Sequence, residues 1–247
     1  MKKERLCVFT AGAASALAIA DHLFFVSPAT GFVTAGSVWL RYGAFAAVLA
    51  LLFVFSRGVP APAGELELFE KMSHGEAVLA GIFFLGSGVI ALLQMTAPMA
   101  VLAAGLFAGA VFFFKARRGR PSFALGCVLT VTMLYCCLLR YLQKPASNEH
   151  LLSSFGLLSS IVGLLFALRL LRDVFLPAGR DLRSLAFWGI AAAVCGGGLN
   201  FAKYLICVLG ADRTFWQPAF DFPLLGLAVV GMAAFRRAFA AKNEPAE

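Results

Sequence analysis

Asn200, Lys203 and Tyr204 set an amide, an ammonium and a phenol at spacings of three and four residues. On a helix that spacing puts all three on one side. Gathered where water is scarce, such groups suit an anionic or zwitterionic small molecule. Directly before them runs Gly196-Gly197-Gly198. Each glycine weakens a helix by about 1 kcal/mol relative to alanine. The run therefore allows a close backbone approach, or a local break whose freed backbone groups line a binding cavity. The plainer reading is tight glycine packing, with the Lys203 ammonium reaching outward to water.

A second set of ionisable groups lies near the ends of apolar stretches. Asp21-His22 precedes the end of the first, and Arg41-Tyr42 follows the start of the second. Helical rise places Asp21 about 7.5 Å and Arg41 about 4.5 Å from the connecting turn. An Asp21–Arg41 ion pair is therefore expected, acting as a gate or a strut. His22, Gln94, Arg140, Glu149 and Asp221 are expected around an outward-facing polar vestibule. Residues scattered around the rim of a bundle would leave the same pattern.

Catalytic signatures are missing from the sequence. There is no HExxH and no G-x-S-x-G, and Leu85-Gly86-Ser87-Gly88 only places a serine between glycines. The small residues Gly81, Gly86 and Gly88 read as helix-packing positions. Neither a Walker loop nor a cysteine/histidine metal motif occurs, so no enzyme activity, metal or cofactor is expected. The six cysteines (Cys7, Cys127, Cys136, Cys137, Cys195 and Cys207) fall within apolar stretches and read as small packing residues.

The elements that must carry these residues are eight apolar runs, near 6–26, 38–56, 77–97, 99–114, 122–142, 150–171, 185–209 and 220–240. Each approaches the ~20 residues that cross ~30 Å of hydrocarbon as a helix. The chain is 61% hydrophobic and 14% charged, with a mean hydropathy of +0.86. Soluble domains are nearer ~45–50% apolar and ~25% charged. The predicted fold is all-α: one domain over 1–247, a polytopic membrane bundle of about eight helices in contact with the lipid bilayer.

Sixteen of the 21 Lys and Arg residues fall at the N-terminus, in alternate turns and at the C-terminal end. Arg41, Arg140, Lys144, Lys203 and Arg213 fall on the opposite side. The positive-inside rule then puts both termini in the cytoplasm, in the cytoplasmic membrane if the cell is prokaryotic. The net charge of +8 is explained by these turns, and no nucleic-acid partner is expected. Residues 1–20 also read as a signal peptide with Ala18-Ile19-Ala20 at its cleavage site, though the apolar run resumes through Leu23–Val26. Leu66, Phe69 and Met72, spaced by three among acids, suggest a short amphipathic helix on the inner interface or a solvated linker.

Two functions fit these features. One is binding or transport of a small polar or anionic molecule through an outward-facing polar site. The other is a non-transporting scaffold or sensory subunit that docks a cytoplasmic protein.

Overall fold

In the computed structural model the described residues are 2–27, 30–59, 74–119, 121–143, 150–176, 181–209 and 217–240. They form an all-α bundle with eight helical units long and apolar enough to cross a membrane. The helices are α1 (Lys2–Phe25), α2 (Val38–Ser56), α3 (His74–Leu93), α4 (Ala97–Ala116), α5 (Phe123–Gln143) and α6 (Leu151–Phe175). They are followed by α7 (Leu182–Ala192), a π-helical segment (Ala193–Leu199), α8 (Asn200–Leu209) and α9 (Pro218–Ala240). The segment and its two flanking helices form one continuous span. The expected amphipathic stretch through Leu66, Phe69 and Met72, like Glu149, lies outside the described residues.

Local chemistry sets the ends. The third span stops at Leu93 rather than near residue 97 because a turn intervenes, with Met95 in the left-handed region at φ 51°. Thr96 then caps α4, and Pro98 occupies its first turn, where a missing N–H costs nothing. His150 caps α6 by accepting from the Ser153 N–H at 3.3 Å. The α1–α2 turn is pinned to that cap. Leu151 N–H donates to the Gly31 carbonyl at 3.1 Å, and the His150 ring packs edge-on against Phe32. Gly31 has φ +68°, and a Cβ there would stand 2.7 Å from the imidazole. Glycine is required on both counts.

At the basic end, Asp181 caps α7 through the Arg183 N–H at 3.1 Å. Arg183 Nε in turn donates to the Val59 carbonyl at 3.0 Å, tying α7 to the end of α2. Arg169 binds Asp173 one turn on, at 3.0 Å, and also donates to the Asp181 carbonyl.

α9 is the axis of the bundle, packed by α3, α6, α7 and the π segment. Within the spans, 72% of both the α7–α8 unit and α9 is buried, against 17% of α1 and 11% of α2. The first two helices are thus applied to the outside of a six-span core. Small residues set the closest crossing: Gly189 of α7 and Gly231 of α9 face each other, and a Cβ on either would run into the other's backbone carbonyl. Gly81 and Gly88 of α3 receive the rings of Phe114 and Phe107 from α4, whereas nothing lies within 4 Å of a Cβ on Gly86.

Pro223, inside α9, removes the N–H that would reach the Ala219 carbonyl. The buried Ser87 hydroxyl of α3 donates to that carbonyl instead. The serine between glycines therefore completes a backbone, which an apolar interior demands.

Gly189→Ala should cost about 3 kcal/mol, the upper range for overpacking, because backbone rather than a side chain must move. Gly86→Ala should stay within about 1 kcal/mol of wild type. Denaturant titration in detergent measures both, and equal losses would contradict the helix contacts described.

A candidate functional site: a buried ion cluster and a lateral groove

A charged side chain at membrane depth is costly unless its charge and hydrogen bonds are met by neighbours. Asp221, in the first turn of α9, is fully buried and receives both Arg140 of α5 and Lys203 of α8. Arg140 Nη2 donates to one carboxylate oxygen, and Lys203 Nζ donates to the other at 2.9 Å. Arg140 Nη1 is bound by α6, through the Gly156 carbonyl and the Ser160 hydroxyl, the latter at 3.0 Å. Gly156 makes that approach possible, since a Cβ there would press on the guanidinium at 3.2 Å. The Phe220 ring lies 5.5 Å from the guanidinium carbon and closes another side. Three helices thus meet on one carboxylate, and α6 holds the arginine that reaches it.

This arrangement redistributes the residues expected around a vestibule. Arg140 and Asp221 are only 4% and 0% exposed and are spent on each other. His22 lies apart from them, on α1 beside Phe155, with ring centroids 6.1 Å apart. Gln94 is exposed in the α3–α4 turn. Ion pairing draws Arg140 and Asp221 into the helix contacts, away from His22 and Gln94.

The Asn200, Lys203 and Tyr204 set on α8 is likewise built into packing. Lys203 points inward to Asp221 rather than outward to water. Asn200 is buried, and its Nδ2 finds no hydrogen-bond partner among the described residues. The Tyr204 ring lies 6.1 Å from that of Phe222. The three glycines end a π-helical widening rather than a break. Gly196 is covered by the Leu224 backbone and Gly198 by Ser15 of α1, while Gly197 meets only Ala228, at 3.8 Å. The widened turn leaves backbone groups out of α register. Ser159 of α6 answers one of them, donating to the Cys195 carbonyl at 3.2 Å. A ligand on the Asn200, Lys203, Tyr204 face would have to displace Asp221 or part α9 from the π segment.

Asp21 and Arg41 do meet. Arg41 Nε donates to both carboxylate oxygens, at 2.8 and 3.0 Å. Its Nη2 and Nη1 turn to the carbonyls of Ala35 and Ser37, at 3.0 and 3.3 Å. This pair stands at one end of a groove of about 400 Å³ between α1 and α2, in the usual range for small-molecule sites. Ala14, Leu17 and Ala18 form its α1 wall, and Ala44, Phe45 and Val48 its α2 wall. Phe155 of α6, with Val194 and Leu199 of the π segment, forms the floor. The polar lining residues Asp21, His22 and Arg41 all lie toward the α1–α2 turn. Below them the walls run seven residues, from Asp21 back to Ala14 and from Arg41 on to Val48. That is about 10 Å of apolar trough.

Of these features, sequence patterns pointed to the residues of the ion pair and the buried cluster, but not to the cluster's geometry or to the groove. Ser160 and Gly156 carry no signal of their own. The groove walls are alanines and leucines indistinguishable from lipid-facing residues.

Comparison with protein-family models, with curated proteins and with solved structures finds no match to this chain. Its class therefore rests on its own architecture: eight apolar spans make it a multi-pass membrane protein in contact with lipid.

Asp221→Asn leaves two buried cations facing each other and should cost about 3–5 kcal/mol. Lys203→Met keeps the Arg140–Asp221 pair and should cost clearly less. Unfolding midpoints of the two variants in detergent test this order, and a reversed order would show that the carboxylate is not the hub.

Proposed function

We propose that this protein binds a small amphipathic molecule in the groove between α1 and α2. The polar head lies beside Asp21, His22 and Arg41, and the apolar part lies along Ala14, Ala44 and Val48. The observation that carries the reading is the segregation of the lining: Asp21, His22 and Arg41 all stand in the half nearer the α1–α2 turn, with Phe25 and Leu40 beside them, and the other half is apolar. An amphipathic molecule needs this arrangement, and it can enter sideways from the bilayer. The expectation of a small polar or anionic ligand is thereby moved from the α8 face to α1 and α2 and given an apolar tail. Transfer of that molecule between lipid and water is the transport form of the same reading. The distribution of basic residues supports an orientation with both termini cytoplasmic and the head-group end facing outward.

The scaffold reading has its own support in the filled contacts at Gly196 and Gly198, which suit a rigid core more than a moving one. The groove distinguishes the two, since a scaffold has no need of it.

Ala44 is exposed on the groove wall, so a larger side chain there fills the trough without entering the core. Native mass spectrometry of wild type from mild detergent should find a retained small amphiphile. Ala44→Phe should lose it at an unchanged melting temperature. A wild type without adduct, or an adduct that Ala44→Phe leaves in place, would overturn the proposal.

A further inference from the structure

Taking the groove as the binding site, we infer that it selects an amphipathic ligand whose head is a hydroxyl, in preference to a carboxylate or a quaternary ammonium. Four features of the head-group end lead there.

Arg41, the cation of the site, is already engaged by the protein. All three of its guanidinium nitrogens already donate, Nε to Asp21 and the two Nη to carbonyls of the α1–α2 turn. A Cβ on Gly36 of that turn would stand 3.4 Å from Nη1, which places the fork against the turn backbone.

The acceptor is the more accessible partner. The Asp21 side chain is 29% exposed, against 12% for Arg41. An ionised carboxylate has about four lone-pair sites and only accepts. Nε serves its two oxygens with a single N–H, leaving room for another donor.

His22 adds a second polar contact. Its side chain is 2% exposed and lines the groove. Its Nδ1 is buried beside the Ala18 carbonyl one turn back, which leaves the other ring nitrogen, Nε2, as an acceptor toward the groove. A neutral imidazole offers one donor and one acceptor in either tautomer.

The charge balance excludes the other heads. Asp21 and Arg41 cancel, so a quaternary ammonium gains little attraction for the water it gives up. It also cannot donate a hydrogen bond to Asp21. A carboxylate head would face the exposed oxygens of Asp21 with like charge and with no proton to offer. A hydroxyl can donate to Asp21 or to the acceptor nitrogen of His22, which neither of the other heads can do. The trough below, about 10 Å long and lined by two facing helices and a floor, takes the apolar part.

The test uses three photoreactive probes with the same alkyl chain and a mid-chain diazirine, ending in a hydroxyl, a carboxylate or a trimethylammonium group. Each is irradiated with the full-length protein in phosphatidylcholine nanodiscs, and labelled α1 and α2 peptides are counted by mass spectrometry. The alcohol should label about tenfold more than the other two, the worth of one good hydrogen bond. His22→Phe, which keeps a ring beside Phe155, should cut alcohol labelling and leave the other two unchanged. Ala44→Phe should abolish labelling by all three. Equal labelling by the three heads, a preference for the acid, or a preference that survives His22→Phe would overturn the head-group inference. In those cases, sensitivity to Ala44→Phe would leave the groove reading standing. Labelling insensitive to Ala44→Phe would overturn both.

Discussion

One carboxylate holds the interior of this bundle in register. Asp221 sits on α9 with no contact with solvent, and it is stable there because Arg140 and Lys203 reach it from two other helices. In a hydrocarbon surrounding, the penalty for leaving any of these charges unmet is several kcal/mol. The penalty fixes more than the pair. It sets the rotation of α8 about its axis, the depth of α5 against α6 through Gly156 and Ser160, and the seating of Phe220 over the guanidinium. Apolar packing alone is weakly directional in lipid, where helices gain little from hydrophobicity itself. Directional bonds therefore specify what greasy surfaces leave open.

The same requirement recurs in the backbone. Pro223 frees a carbonyl in α9 and the π segment shifts others, and Ser87 and Ser159 reach across from neighbouring helices to meet two of them. Such repairs commit the α3, α6, α7–α8 and α9 core to close contact. α1 and α2 carry less of this wiring: their turn is tied to the His150 cap and the end of α2 to Arg183, while α1 packs on the π segment and α8. A groove opens between these two helices rather than in the core.

How much of this was legible from the sequence follows from which forces leave a one-dimensional trace. Span number and helical class are visible because the bilayer imposes length and composition on each segment. The partnership of Asp21 with Arg41 was readable because a hairpin fixes the depth of both. Arg140, Lys203 and Asp221 were each conspicuous as charges, but their union depends on α5, α8 and α9 meeting, and sequence spacing is silent about helix order. The packing reading sent Lys203 outward to water, whereas it turns inward to a partner eighteen residues away on the next span. The glycine run promised either packing or a break. A π-helical segment packed at Gly196 and Gly198 is a third outcome, chosen by the Leu224 backbone and Ser15.

The central claim, that Lys203 is withdrawn into an ion cluster and not displayed at the surface, is open to direct measurement. Intact protein in nanodiscs is exposed to a membrane-impermeant amine-reactive ester, and modification of each lysine is followed by mass spectrometry. Lys115, exposed at the end of α4, serves as the internal comparison, with the reagent present on both sides of the disc. The cluster predicts that Lys203 stays unmodified while Lys115 reacts, and that Lys203 reacts only after denaturation. Modification of Lys203 at the rate of Lys115 in the folded protein would contradict it.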